Sequence, residues 1–119
     1  MIDGTHTRPE EIAREYFRRM QSGEPVAELF TEDAELFGLG AHIVGRDAIK
    51  AFYAAARSDA SPRPEPLIVV AQGDHVLAEA YIHMLTGTRM HVVDRFEIHG
   101  ELIRSLTYFT ADYPATEDI

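Results

Sequence analysis

Asp94, Glu79, His83 and Tyr16 are the side chains whose types suit acid–base chemistry in this chain. Glu79, Tyr81 and His83 alternate along one run, and Asp94 sits in the next, Val92-Val93-Asp94-Arg95-Phe96. Read as antiparallel strands joined by a two-residue turn at Thr86-Gly87, the spacing sets Glu79 opposite Asp94, Tyr81 opposite Val92 and His83 opposite Met90. Two carboxylates enclosed together cannot both ionise cheaply, so one is held as an acid while the other stays a base. Such a pair suits general acid–base catalysis, with Asp94 at its centre. Its partner is either Glu79 or His83, histidine being a side-chain type that can give or take a proton.

Other chemistries are poorly supplied. The 119 residues include no cysteine, which removes thiol nucleophiles, thiolate metal sites and disulfides. No His-x-His or His-Glu-x-x-His run offers metal ligands, and no glycine-rich loop suits a phosphate, so neither a metal nor a cofactor is expected. A formal charge of −9 repels nucleic-acid backbones and favours solubility. Without an apolar leader at the start or a stretch long enough to span a bilayer, the expected setting is cytoplasmic, with no membrane partner.

The elements that must position these groups are legible as one α+β domain over residues 1–119, its core at about 8–112 and its ends loose. Thr7-Arg8-Pro9-Glu10 reads as a helix start with a capping box, followed by Ile12, Tyr16, Phe17 and Met20 on one face and a stop at Ser22-Gly23. A short second helix is expected over about Pro25–Phe30. Strands are expected at Ala34–Phe37 and Ala41–Val44, and a third helix opens at Gly45-Arg46-Asp47 with Ile49, Phe52, Tyr53 and Ala56 inward. The prolines of Ser61–Pro66 break the pattern. An antiparallel meander follows: Leu67–Gln72, His75–Leu85, Thr88–Ile98 and Glu101–Thr110, with glycine turns between.

With both later turns taken as two-residue loops, one face of the meander carries Glu79, Tyr81, His83, Met90, Val92, Asp94, Phe96, Ser105, Thr107 and Phe109. That mixture of apolar groups with a few convergent polar ones suits a ligand pocket. The other face, with Ala80, Ile82, Val93, Leu106 and Tyr108, is expected to be covered by a second copy of the chain, giving a homodimer.

Four segments carry a family likeness: Arg14-Glu15-Tyr16-Phe17, Leu29-Phe30-Thr31-Glu32-Asp33-Ala34, Val44 to Tyr53, and Val93 to Ile103 with Tyr108-Phe109. On these the chain resembles the nuclear-transport-factor-like superfamily, which includes ketosteroid isomerase and the SnoaL-like polyketide cyclases. The resemblance implies a cone-shaped α+β barrel, three helices packed on a strongly curved antiparallel sheet around an apolar pocket. By position Tyr16 is similar to an oxyanion-donating tyrosine and Asp94 to an aspartic acid kept protonated by its apolar site. The pocket so implied would be lined by Phe37, Phe52, Tyr81, Met90, Val92, Phe96, Ser105, Thr107 and Phe109. The family's proton-transferring aspartate would fall near Gly38, where no carboxylate stands.

Two functions follow as expectations. One is a cofactor-independent acid–base enzyme acting on a small hydrophobic carbonyl compound by isomerisation, aldol-type cyclisation or dehydration. The other is a non-catalytic module of the same fold that binds a small molecule or dimerises.

Overall fold

The structure is a computed structural model that describes residues 6–111. The expected loose ends therefore lie almost wholly outside the described residues. Helix α1 spans Arg8–Ser22. Its start shows half of the expected capping box: the Thr7 hydroxyl accepts from the Glu10 amide at 3.3 Å, while the Glu10 carboxylate accepts from Arg14 at 2.8 Å. It stops at Gly23, whose φ of 80° suits glycine and whose amide returns to the Arg19 carbonyl. The expected second helix is a single 3-10 turn at Ala27–Leu29. Strands β1 (Phe30–Gly38) and β2 (Ala41–Val44) form a hairpin, and helix α2 (Arg46–Asp59) follows. The described residues finish with β3 (Arg63–Gln72), β4 (His75–His83), β5 (Arg89–His99) and β6 (Leu102–Thr110).

The six strands form one open sheet in the order β2-β1-β6-β5-β4-β3. It is mixed, because β1 runs parallel to β6 while every other neighbouring pair is antiparallel. Two α-helices on an open mixed sheet thus replace the expected three helices on a barrel. Helix α1 packs on β3, β4 and β5, and α2 on β1 and β2. The prolines at 64 and 66 lie within β3 rather than before it. They are tolerated because β3 is an edge strand with only one partner to satisfy.

The core lies between the helices and one face of the sheet. Helix α1 contributes Ile12, Tyr16 and Phe17, α2 contributes Ile49 and Tyr53, and the sheet contributes Val76, Ala78, Ala80, Val92, Phe96 and Leu106, all buried. This corrects the expected register. The loop between β4 and β5 has three residues, not two. The Gly87 amide bonds the Met84 carbonyl, and the Met84 amide bonds the Thr88 carbonyl, each at 2.9 Å. Leu85, Thr86 and a left-handed Gly87 (φ 96°) are left as the loop. One extra loop residue shifts the pairing by one and turns each β4 side chain to the opposite face. Asp94 pairs with Ala78, and Glu79 with Val93. Between β5 and β6 the two-residue loop is Gly100-Glu101 rather than the expected His99-Gly100, and the pairing then skips Arg104, so Asp94 meets Tyr108 rather than Ser105.

The expected dimer face is corrected with it. Ala80, Ile82, Leu106 and Tyr108 are core residues beneath the helices, and only Val93 of that set is exposed. No helix among the described residues is long and apolar enough to cross a membrane.

Candidate active site

Three elements bring three tyrosines to one point. Tyr16 comes from the buried face of α1, Tyr53 from that of α2, and Tyr108 from the helix-facing side of β6. Each is at most 8% exposed. The Tyr16 hydroxyl lies 2.8 Å from that of Tyr53 and 2.7 Å from that of Tyr108, and the Tyr53 and Tyr108 hydroxyls are bonded to each other. A hydroxyl carries one proton and can accept as well, so a triangle of three satisfies every donor when the bonds run one way around. Aromatic neighbours hold the triangle rigid: the Tyr16 ring meets Phe17 and Phe96 edge-on, each with centroids 5.3 Å apart. Burial, the largest cause for each, pushes all three hydroxyls above the usual tyrosine range, and the nearby Asp94 charge would push further. They are donors, not bases, near neutral pH.

Asp94 stands beside this cluster. It is Tyr108's cross-strand partner, 1% exposed, and its Oδ1 has no hydrogen-bond partner. Burial alone raises its carboxyl to about 8. A carboxylate deprived of water and given no cation holds its proton, so at neutral pH Asp94 is mainly a neutral acid.

The tyrosines close one end of an apolar cavity of ≈ 110 Å³. Its walls are Met20, Leu39, Phe52, Ala56, Ala60, Pro62, Pro64, Ile82, Met84 and Met90. The only polar side chains among its lining residues are the three tyrosines. Gly38 ends β1 against Tyr108. A Cβ there would stand 2.6 Å from the Tyr108 carbonyl oxygen, and φ is 123°. No side chain, and so no carboxylate, fits that position.

Of the residues singled out from sequence, Asp94, Tyr16, Phe52 and Met90 lie at the cavity or directly behind it, and Val92 and Phe96 in the core beneath. The others are on the outer face. Glu79 Oε2 is 2.6 Å from His91 Nε2, and His83 Nε2 is 2.8 Å from Glu65 Oε1. Tyr81 lies under the Arg89 guanidinium, 3.9 Å from the ring centre. Phe37 stacks on His42, Ser105 donates to Glu97, and Phe109 is exposed. Thr107 lies on that side too, between Arg95 and Phe37 in register. The Glu79–Asp94 dyad does not form, because the hairpin register separates its members across the sheet. Sequence reasoning missed Tyr53 and Tyr108 as site residues. The available signal was three hydroxyls at inward positions, each needing a buried partner.

Comparison with known proteins agrees with this architecture. Residues 6–106 match the family model for the SnoaL-like domain. No curated protein matches the chain. Among solved structures, a candidate polyketide cyclase from Sinorhizobium meliloti is 28% identical with a TM-score of 0.77, covering 82% of this chain and 93% of that one. A candidate ketosteroid isomerase from Kribbella flavida is 19% identical at a TM-score of 0.80, covering 91% and 81%. TerC, crystallised with polyporic acid, is 18% identical at a TM-score of 0.76, covering 88% and 92%. With a family match running through nearly the whole described region, the chain belongs to the SnoaL-like domain family.

Proposed function

We propose that this protein is a cofactor-independent catalyst of enolisation-type chemistry on a small apolar carbonyl compound. The observation that carries the reading is the tyrosine triangle at the end of an apolar cavity, with an uncharged Asp94 behind it. A substrate carbonyl oxygen takes over one or more of the tyrosine donors, Tyr16 foremost. As the enolate forms, negative charge grows on that oxygen, and donors fixed in a dry site stabilise it without reorganising. Asp94 serves by staying neutral. Ionised, it would repel the oxyanion; protonated, it adds a donor near it.

The cavity lining holds no carboxylate or imidazole to take the proton. The substrate best matched is therefore one whose C–H is already acid, flanked by two carbonyls, which can give its proton to water or to its own basic group. Aldol-type cyclisation of a 1,3-dicarbonyl compound fits, and the family's polyketide cyclases support it. The relative crystallised with polyporic acid supports a small organic ligand. The same bare lining favours a second reading, in which the pocket binds such a compound without turning it over.

Keto–enol interconversion of benzoylacetone, followed by its ultraviolet absorbance, separates the two. Catalysis is expected from the wild type, reduced by roughly a hundredfold in Tyr16→Phe through loss of one oxyanion donor. The wild-type rate is expected to fall as pH rises through about 8, where Asp94 ionises, and to stay level there in Asp94→Asn. Binding without acceleration by the wild type would establish the second reading.

A further inference from the structure

We infer that the ligand of this pocket carries an anionic group, a carboxylate in the simplest case, which Arg57 and Arg63 hold at the cavity mouth. The inference rests on the cavity being the binding site and names the class of molecule it takes.

A narrow cleft lined by Met20, Gly23, Tyr53, Arg57, Pro62 and Arg63 adjoins the cavity and shares Met20, Tyr53 and Pro62 with it. The apolar cavity and a cleft that holds two guanidinium groups thus lie side by side, with Met20, Tyr53 and Pro62 as their common wall. Both arginines are exposed. Their contacts differ from those of the arginines on α1. Arg8, Arg14, Arg18 and Arg19 each hold at least one carboxylate. Arg57 reaches only the Glu24 carbonyl at 3.3 Å, and Arg63 only the carbonyls of Met20 at 3.5 Å and Pro62 at 3.3 Å, among the described residues. The nearby Glu24 carboxylate is taken up by Arg18 and Ser22. Arg46 on the Phe30 carbonyl, Arg89 on the Tyr81 ring and Arg95 on the Phe109 ring hold no carboxylate either among the described residues; Arg57 and Arg63 differ from these in lining one cleft beside the apolar cavity.

Gly23, the left-handed cap of α1, borders the cleft, where a Cβ would stand in ordinary contact with Arg63 Nη2 at 3.7 Å. Each guanidinium has five donors in a planar fork, most of them unused here, and that fork matches the two oxygens of a carboxylate. The cleft is small, about 10 Å³, room for roughly one water-sized group, so a carboxylate on these guanidiniums would rest at the cleft's solvent side and not inside it. A molecule with its carbonyl or phenolic oxygen on the tyrosines, its body on Met20, Phe52, Met84 and Met90, and its anionic end at Arg57 and Arg63 would satisfy each polar surface the pocket offers.

The test uses three probes: 2-naphthol, 6-hydroxy-2-naphthamide and 6-hydroxy-2-naphthoate, titrated by calorimetry at neutral pH and low salt. The carboxylate is expected to bind the wild type about tenfold more tightly than the amide, as a charge-assisted contact allows. That gain is expected to shrink to within about twofold in Arg57→Gln/Arg63→Gln and to weaken with added salt. Arg104→Gln, which removes the same charge from the β5–β6 bulge, is expected to leave the gain intact. Circular dichroism confirms that each variant is folded. Equal affinity for acid and amide in the wild type, or a gain that survives the double substitution, overturns the anionic subsite alone, provided 2-naphthol binds. If none of the three probes binds, the pocket reading fails and this inference falls with it.

Discussion

Asp94 is the residue at which stability and the proposed function pull in opposite directions. Its carboxyl is buried without a cation, Oδ1 lacks a partner, and burial lifts it from the ordinary aspartate value to about 8. The linkage has a definite sign. Between about pH 4 and pH 8 the folded protein keeps a proton that the unfolded chain gives up, so stability falls as pH rises across that window. The contribution is fully present below the unfolded value and lost as pH passes the folded one. Asp94→Asn keeps the shape and removes the titration. Chemical denaturation is expected to find the Asn variant more stable than wild type at pH 7, by on the order of 4 kcal/mol, and nearly equal to it at pH 4. A variant less stable than wild type at both pH values would show that Asp94 is held by contacts that favour its charged form. Retaining a destabilising acid beside three tyrosine hydroxyls is the behaviour expected of a site residue.

At the scale of elements, β1 and β6 meet so closely that Gly38 leaves no room for a side chain against Tyr108. Gly38→Ala forces a Cβ toward the Tyr108 backbone at a positive φ, and thermal or denaturant unfolding should register a loss of roughly 3 kcal/mol. A neutral effect would mean that β6 can shift, and with it Tyr108 and the triangle. The same scale decides what was legible in the sequence. Helix α1 was, because Thr7, Pro9, Gly23 and the Ile12–Tyr16–Phe17 stripe are local signals that agree with one another. The family resemblance is what joins Tyr16 to Asp94, since no local signal links a position on α1 to one on β5. The partners of Asp94 were not legible. Whether the β4–β5 loop holds two residues or three turns on how Leu85 and Thr86 lie around Gly87, and Thr-Gly is compatible with both. That one residue decides the face of Glu79, Tyr81 and His83. The skipped Arg104 then does the same for Ser105, Thr107 and Tyr108, with no glycine or proline to announce it. Parallel pairing of β1 with β6 is a long-range choice that periodicity does not encode.

For the molecule as a whole, the sheet has one face under the helices and one in water. The outer face exposes Ile68, Val70, Leu77, Val93 and Phe109. Val70 pairs with Leu77 and Val93 with Phe109, so these form a band across β3 to β6. Arg95 and Glu79 lie within the band, which allows a two-fold copy to meet it with opposite charges. We propose that the homodimer forms here, on the face opposite to the one expected from the two-residue hairpin. Phe109→Glu would set a charge in the apolar band. Sedimentation at micromolar concentration is expected to show a dimer for the wild type and monomers for the variant. A monomeric wild type would exclude self-association through this face under those conditions. The cavity is walled by residues on the other side of the sheet, so pocket chemistry and assembly can be tested separately.

The most direct test of the proposed chemistry is the protonation state of Asp94 itself. Carbon-13 NMR of the aspartate carboxyl signals, with Asp94 assigned by its disappearance in Asp94→Asn, follows that group through pH 3 to 10. The expected result is a single Asp94 transition near 8, moving upward when a phenol occupies the tyrosine cluster and makes an anion there costlier. A transition near 4 would mean that Asp94 is ionised at neutral pH, and an oxyanion site built beside it would be untenable.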